Sequence, residues 1–361
     1  MYKRKVLNEH QIIFLCARLE INNPLYQKIR KLLNSSIDWN KIIEISNRQQ
    51  TLPFLYFNIR KLELQDIIPQ DIFKEMKNRY YANLYKNIMV EREILLILEL
   101  TKQYGVSIIP LKGLSLIQTL YHNPALRMMV DVDILIKKNE LQKIKDILDQ
   151  LDYHGCTKES PQNQYQQYQY EISFSKATSL NQFVFIDTHL ALARSRPYKI
   201  NLPYLWQRAQ EKTINGQKLL FLSEEDTLLS LALHLRSHTR RLTLKFIVDI
   251  AELLNIKGDK LDWLYITKTA GNNHIKTCIY FSLYIARELL QAAVSPKVLN
   301  GFCPNIIKSI LIHFTINKYN FFILKKWQGV FLRFLLFDRP LDFFLYLYRV
   351  SFLERFVGRQ R

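Results

Sequence analysis

Arg127-Met128-Met129-Val130-Asp131-Val132-Asp133-Ile134-Leu135-Ile136 sets two carboxylates into an otherwise apolar, β-branched run. Such a run predicts a strand over 130–136. Side chains alternate faces at a rise of about 3.3 Å per residue, so Asp131 and Asp133 share a face about 7 Å apart, while Val130, Val132 and Ile134 turn to a core. Two like charges held there need a positive partner. A divalent cation such as Mg²⁺ takes oxygen ligands and divides them between one or two carboxylates and substrate phosphates. The alternative for an isolated Asp-x-Asp is an ordinary strand with one solvated face.

A second strand, Phe183-Val184-Phe185-Ile186-Asp187-Thr188-His189, supplies a third acid. Asp187 and His189 share one face and Val184, Ile186 and Thr188 the other. If the two strands are neighbours, three carboxylates converge. Unit charges 4 Å apart still interact by roughly 4 kcal/mol at an effective dielectric of 20, so that cluster implies a bound metal. Upstream, Pro110-Leu111-Lys112-Gly113-Leu114-Ser115 reads as a strand end, a basic residue and a glycine opening a helix. Helix N–H groups plus one ammonium make a phosphate-binding corner from Lys112, Gly113 and Ser115, and Arg127 brings a second cation. For Lys112-Gly113 alone, a solvated turn is the alternative.

The surrounding pattern gives an α+β fold with flanking helices. Residues 9 to about 103 show helical spacing, for example Leu84, Ile88, Leu95 and Leu98, and a long helix over 71–104 stops at Gly105. Then follow a strand over 106–111, a helix over 113–121, the acidic strand, an amphipathic helix over 139–151 capped by Asn139 and broken by Gly155, and strands over 171–175 and 183–189 around a polar loop at 178–181. This is a small mixed sheet covered by helices. After about 220 helix returns, with Ser223 and Asp226 as a start signal. The predicted division is 1–103 helical, 104–220 catalytic core and 221–361 helical.

Composition narrows the function. With 48% hydrophobic and 23% charged residues the 361-residue chain is globular. No stretch reaches the ~20 apolar residues of a membrane span, and the apolar run behind Lys3, Arg4 and Lys5 ends at Arg18 without a cleavage site. Cys16, Cys156, Cys278 and Cys303 form no Cys-x-x-C pattern, so a reduced, cytoplasmic setting is expected. No two of the nine glycines stand two or five apart, which excludes a G-x-G-x-x-G fingerprint and a G-x-x-x-x-G-K loop. The net charge of +19 favours a polyanionic partner, although a Lys-rich composition accounts for part of it.

Weaker signals have bland alternatives. His234 and His238 share a helix face as a Zn²⁺ pair would, but no third ligand is evident, and packing or site lining is the preferred reading. Arg236, Arg240 and Arg241 line a cleft or make a solvated face. From Gly301 onward ten basic residues stand against three acids, interleaved with Trp327, Phe331, Phe334, Phe337, Phe343, Phe344, Tyr346 and Tyr348. This reads as a core stripe with lysines outside, or as a surface for anionic membrane or RNA.

Taken in order, Leu111-Lys112-Gly113, Leu120-Tyr121, Pro124, Arg127 with Asp131-Val132-Asp133-Ile134-Leu135, and Ile186-Asp187-Thr188-His189 resemble a bacterial family of uncharacterised nucleotidyltransferases in the polymerase β-like superfamily. Leu233-His234, His238 and Asp249-Ile250-Ala251 resemble its helical segment, and the likeness covers roughly residues 75 to 255. One departure stands at Lys112-Gly113, where the superfamily usually has Gly-Gly or Gly-Ser. The resemblance implies NTP as substrate and two Mg²⁺ ions (or Mn²⁺) on Asp131, Asp133 and Asp187. An acceptor hydroxyl on a small molecule, protein or RNA end would attack the α-phosphorus and release pyrophosphate. Lys112 and Arg127 would neutralise the triphosphate, and His189 would contact phosphate or orient Asp187. A catalytically silent scaffold of the same fold, or a basic nucleic-acid or membrane-surface binder, is the alternative.

Overall fold

The computed structural model describes residues 6–155, 171–177, 183–193, 200–214 and 216–357, with side chains as far as 348. Strands β1 (Ile108–Pro110), β2 (Val132–Ile136), β3 (His154–Gly155), β4 (Glu171–Ala177) and β5 (Phe183–His189) form one mixed sheet in the order β1-β2-β5-β4-β3. Only β2 and β5 run parallel; the other pairs are antiparallel. A separate hairpin pairs β6 (Gln210–Ile214) with β7 (Gln217–Phe221).

The two faces of the sheet differ because its strands alternate. Val132, Ile134, Ile172, Phe174, Val184 and Ile186 point to one side, where they meet Val90, Ile94 and Ile97 of the long helix Gln70–Gln103 and Ile144, Ile147 and Leu148 of the helix Leu141–Gln150. On the other side Ile109, Leu111 and Leu135 pack with Leu205 and Leu222 in a small second cluster. The acids lie on that second face, beyond the cover of this small cluster.

The helical flanks share one interior. Ile12, Phe14 and Phe54 from the N-terminal helices bury with Leu228, Ile250, Phe281, Phe321 and Leu336 from the C-terminal ones. Leu116, Leu120, Tyr121 and Leu126 join them, so this interior backs directly onto the chain entering β2. Further along, the helix Lys326–Leu335 crosses the turn after the helix Glu224–Ser237, where a Cβ on Gly329 would run into the Thr239 carbonyl. That helix therefore props the wall on which His234 and His238 stand.

Within this interior Glu252 is nearly fully enclosed and accepts from Leu19 N at 3.3 Å. Burial pushes its carboxyl up to about 7, only partly opposed by the Leu19 N–H and Arg18. Between the ordinary value of 4.5 and 7 the folded chain holds a proton that the unfolded chain has released, so this group lowers stability as pH rises across that window. Glu252→Gln is expected to remove about 2–3 kcal/mol of that decline in denaturant titrations at pH 5 and pH 8. Equal slopes for both proteins would refute the assignment.

Several element boundaries differ from the sequence reading. The strand begins at Val132, so Asp131 stands just before it and Val130 is 58% exposed rather than core-facing. The helix expected from Gly113 starts at Lys112 and passes at Ile117–Tyr121 into a π-helical turn. The Leu141–Gln150 helix is led in by a 3₁₀ turn, Lys138–Glu140, and Asn139 makes no cap; it ends before Asp152 at φ +61°, leaving Gly155 in β3. The predicted loop at 178–181 and Cys156 lie outside the described residues. Ser223 does cap its helix, accepting from Asp226 N at 3.2 Å.

Candidate active site

Parallel pairing of β2 with β5 aligns Asp133 with Asp187 and Leu135 with His189. Paired residues on adjacent strands project from the same face about 4.8 Å apart, so the third acid stands beside the second. Asp131, one step out of the strand, is near enough for its charge to be felt at Asp187. Antiparallel β4 adds Ser173 opposite Asp187 and Glu171 opposite His189. The sequence reading gave no role to Glu171 or Ser173. Their period-two match to the Asp187 face was the signal that could have found them.

The three acids are not equivalent. Burial opposes the charge of Asp133, but the Lys112 ammonium at 2.6 Å and His189 Nε2 at 2.6 Å, both on Oδ1, outweigh it and hold the carboxyl well below the usual range. Asp131 is shifted the other way, by burial and then by the neighbouring Asp133. Asp187 is raised too, by burial and by Glu171, Asp131 and Asp133, against a hydrogen bond from Ser173. Two carboxylates thus carry negative charge that the protein leaves under-compensated.

Among the described residues no three His, Cys, Asp or Glu side chains are drawn close enough to ligate one ion. The donor set itself, Asp133 and Asp187 on one face with the Asp131 charge felt beside them, matches the oxygen preference of Mg²⁺ or Mn²⁺. The raised pKa values of Asp131 and Asp187 mark the place where added positive charge would be favoured. Lys112 sits at φ +48°, a left-handed backbone that a side chain rarely adopts, at the junction of β1 and its helix.

Arg127 does not stand where a phosphate could reach it. Its guanidinium is 4% exposed and donates to both Asp249 oxygens, at 3.0 Å from Nε and 2.8 Å from Nη2. Tyr121, turned inward by the π-helical turn, donates to Asp249 Oδ1 at 2.7 Å. Asn83 and Asn87 of the long helix hold the carbonyls of Ala125 and Arg127. Together these bonds fix the segment leading into Asp131. Gly113 is needed for packing, because a Cβ there would meet Met129 Sδ and approach the Arg127 guanidinium. Ser115 is 4% exposed on the inner side of the short helix Lys112–Leu116, so neither residue lines an open phosphate corner.

A further cation whose charge is felt at Asp131 is Lys245, on the helix Leu244–Lys257. Burial and Arg127 pull its ammonium down to about 7, while Asp249, Asp131 and Asp133 pull the other way. Its Nζ donates to the Met128 carbonyl at 3.1 Å. Sequence inspection gave it no role, since nothing local separates it from other helical lysines. His234 and His238 lie with ring centroids 4.3 Å apart, tilted by 47°, and pack on Phe246. Burial and Lys112 push His234 well below its ordinary value, and the same causes bring His238 down to about 4 even though it keeps an open edge to solvent. They pack together on Phe246, and their charge interaction with Lys112 places them near it. Arg236 lies under the Phe337 ring, while Arg240 and Arg241 are exposed.

No curated protein and no solved structure matches the sequence. A family model described as an uncharacterised nucleotidyltransferase matches residues 35–291. That span reaches beyond the 75–255 of the motif resemblance, taking in the N-terminal helices from 39 onward and the helix Lys276–Leu290 that shares their interior. By that match the chain belongs to the uncharacterised nucleotidyltransferase family.

Proposed function

We propose that this enzyme transfers a nucleoside monophosphate from an NTP to an acceptor hydroxyl with release of pyrophosphate, in a reaction dependent on Mg²⁺ (or Mn²⁺). The observation that carries the reading is the pairing of Asp133 with Asp187 across parallel strands, with Asp131 beside them. Asp131, Asp133 and Asp187 would hold the metal. When bound, the ion supplies charge neutralisation on the triphosphate and lowers the pKa of the attacking hydroxyl.

The rest follows from the chain's own groups. His189 orients Asp133 through Nε2, and Glu171 lies 3.8 Å from its other ring nitrogen. The acceptor oxygen bonds to the α-phosphorus as the bond to the bridging oxygen breaks, and the electron pair leaves on pyrophosphate. Asp187 Oδ, whose raised pKa suits a proton acceptor, takes the hydroxyl proton. Lys245 supplies positive charge to the triphosphate, and Lys112 exchanges Asp133 for phosphate when nucleotide enters.

Purified protein incubated with each α-labelled NTP, Mg²⁺ and cell extract should place label on an acceptor and release pyrophosphate, and chelation should stop both. Absence of transfer together with absence of Mg·NTP binding would overturn the reading. Lys245→Met is expected to weaken NTP binding by roughly tenfold to a hundredfold, the worth of one charge-assisted contact. Because phosphate favours the charged ammonium, wild-type affinity should fall as pH rises above about 7. Calorimetric titration of the two proteins at pH 6.5 and 8.5 checks this, and an unchanged affinity in the variant would remove Lys245 from the site.

A further inference from the structure

Between Glu288 and Asp338 the chain contains no acidic residue, against Lys297, Lys308, Lys318, Lys325, Lys326 and Arg333. The same stretch leaves large apolar side chains in water. On the helix Ile306–Thr315, Ile306 is 71% exposed, Ile307 69%, Ile310 58% and Phe314 81%. Steps of three and four residues put these on one face, while Ser309, Ile312 and Thr315 bury on the opposite one. Next in the chain, Ile323 is 58% and Trp327 64% exposed, and the lysines at 318, 325 and 326 close by in sequence are all exposed. Soluble monomers rarely leave so continuous an apolar stripe uncovered.

We infer that this face docks on an anionic lipid surface, with the stripe entering the headgroup boundary and the lysines meeting lipid phosphates. No helix among the described residues is long and apolar enough to cross a membrane, so the docking is peripheral. A second copy of the chain fits poorly, because a two-fold interface would set this all-positive surface against itself. Single-stranded RNA also fits less well, since the exposed face of the helix Ile306–Thr315 carries three isoleucines and one ring, Phe314, and offers successive bases little to stack on. The inference stands apart from nucleotidyl transfer and uses none of the residues assigned to it.

Flotation of the full-length protein with vesicles of phosphatidylcholine alone, or with 40% phosphatidylglycerol, tests it. Binding should be confined to the anionic vesicles and fall by at least about tenfold in Ile307→Asp/Phe314→Asp and in Lys318→Glu/Lys326→Glu. Both variants alter exposed positions, and matching circular dichroism melts establish that they fold. No partition to anionic vesicles, or partition indifferent to both variants, overturns the inference. So does RNA binding that is lost in the variants while vesicle binding persists, or a wild-type dimer that Phe314→Asp dissociates without any vesicle binding.

Discussion

Asp133→Asn and Asp187→Asn should each lower nucleotidyl transfer on the order of a thousandfold, while moving stability in opposite directions. The amide keeps the shape of either side chain, so the activity loss reports on charge. Asp133 is held ionised by Lys112 and His189, and neutralising it strands the 14%-exposed Lys112 ammonium without its counter-charge. Its variant should melt at a lower temperature. Asp187 is destabilised in its charged form by burial and by the other acids, so its variant should melt no lower than wild type and gain slightly. Stability sacrificed at a catalytic cluster is the usual signature of a site arranged for binding charge. Initial rates with a labelled NTP, read beside thermal melts, separate this from a structural role, in which both variants would lose activity only in proportion to lost fold.

Asp249→Asn should cost about 3–5 kcal/mol, because it leaves the Arg127 guanidinium charged and enclosed without its partner. Tyr121, buried and donating to the same side chain, would then share with Arg127 the single oxygen that the amide leaves as an acceptor. Restoring apolar balance in Arg127→Met/Asp249→Leu should recover much of that loss, since burying an ion pair gains little over well-packed apolar side chains. Chemical denaturation of the three proteins gives the comparison. If the double variant were as unstable as the single one, the ion pair would be contributing more than mutual compensation. A loosened Arg127 also frees the segment entering Asp131, so Asp249→Asn should reduce transfer beyond what unfolding explains.

Period-two patterning made the sheet legible, because strands with one apolar and one polar face cannot shift register by a single residue without burying charge. That rule put Asp187 and His189 on one face and, once β2 and β5 paired in parallel, beside Asp133. Helix ends at Ser223 and Gly105 were legible for similarly local reasons, a side-chain cap and a left-handed glycine at φ +62°. What local pattern cannot carry is pairing between distant segments. Arg127 read as a phosphate ligand because its partner Asp249 lies far along the chain on another helix. Lys245 went unnoticed because only the packing of its helix beside Asp131 and Asp133 distinguishes it. The β6–β7 hairpin and the helix Leu202–Arg208 were missed as well, being short, with the hairpin's first strand largely polar.

The most direct measurement is a crystal structure with Mn²⁺ and a non-hydrolysable NTP analogue, with the metal located by its anomalous signal. Manganese bounded by the carboxylates of Asp131, Asp133 and Asp187, with the Lys112 ammonium moved from Asp133 to the triphosphate, is the predicted result. Nucleotide bound elsewhere, or manganese that ignores Asp187, would contradict the account.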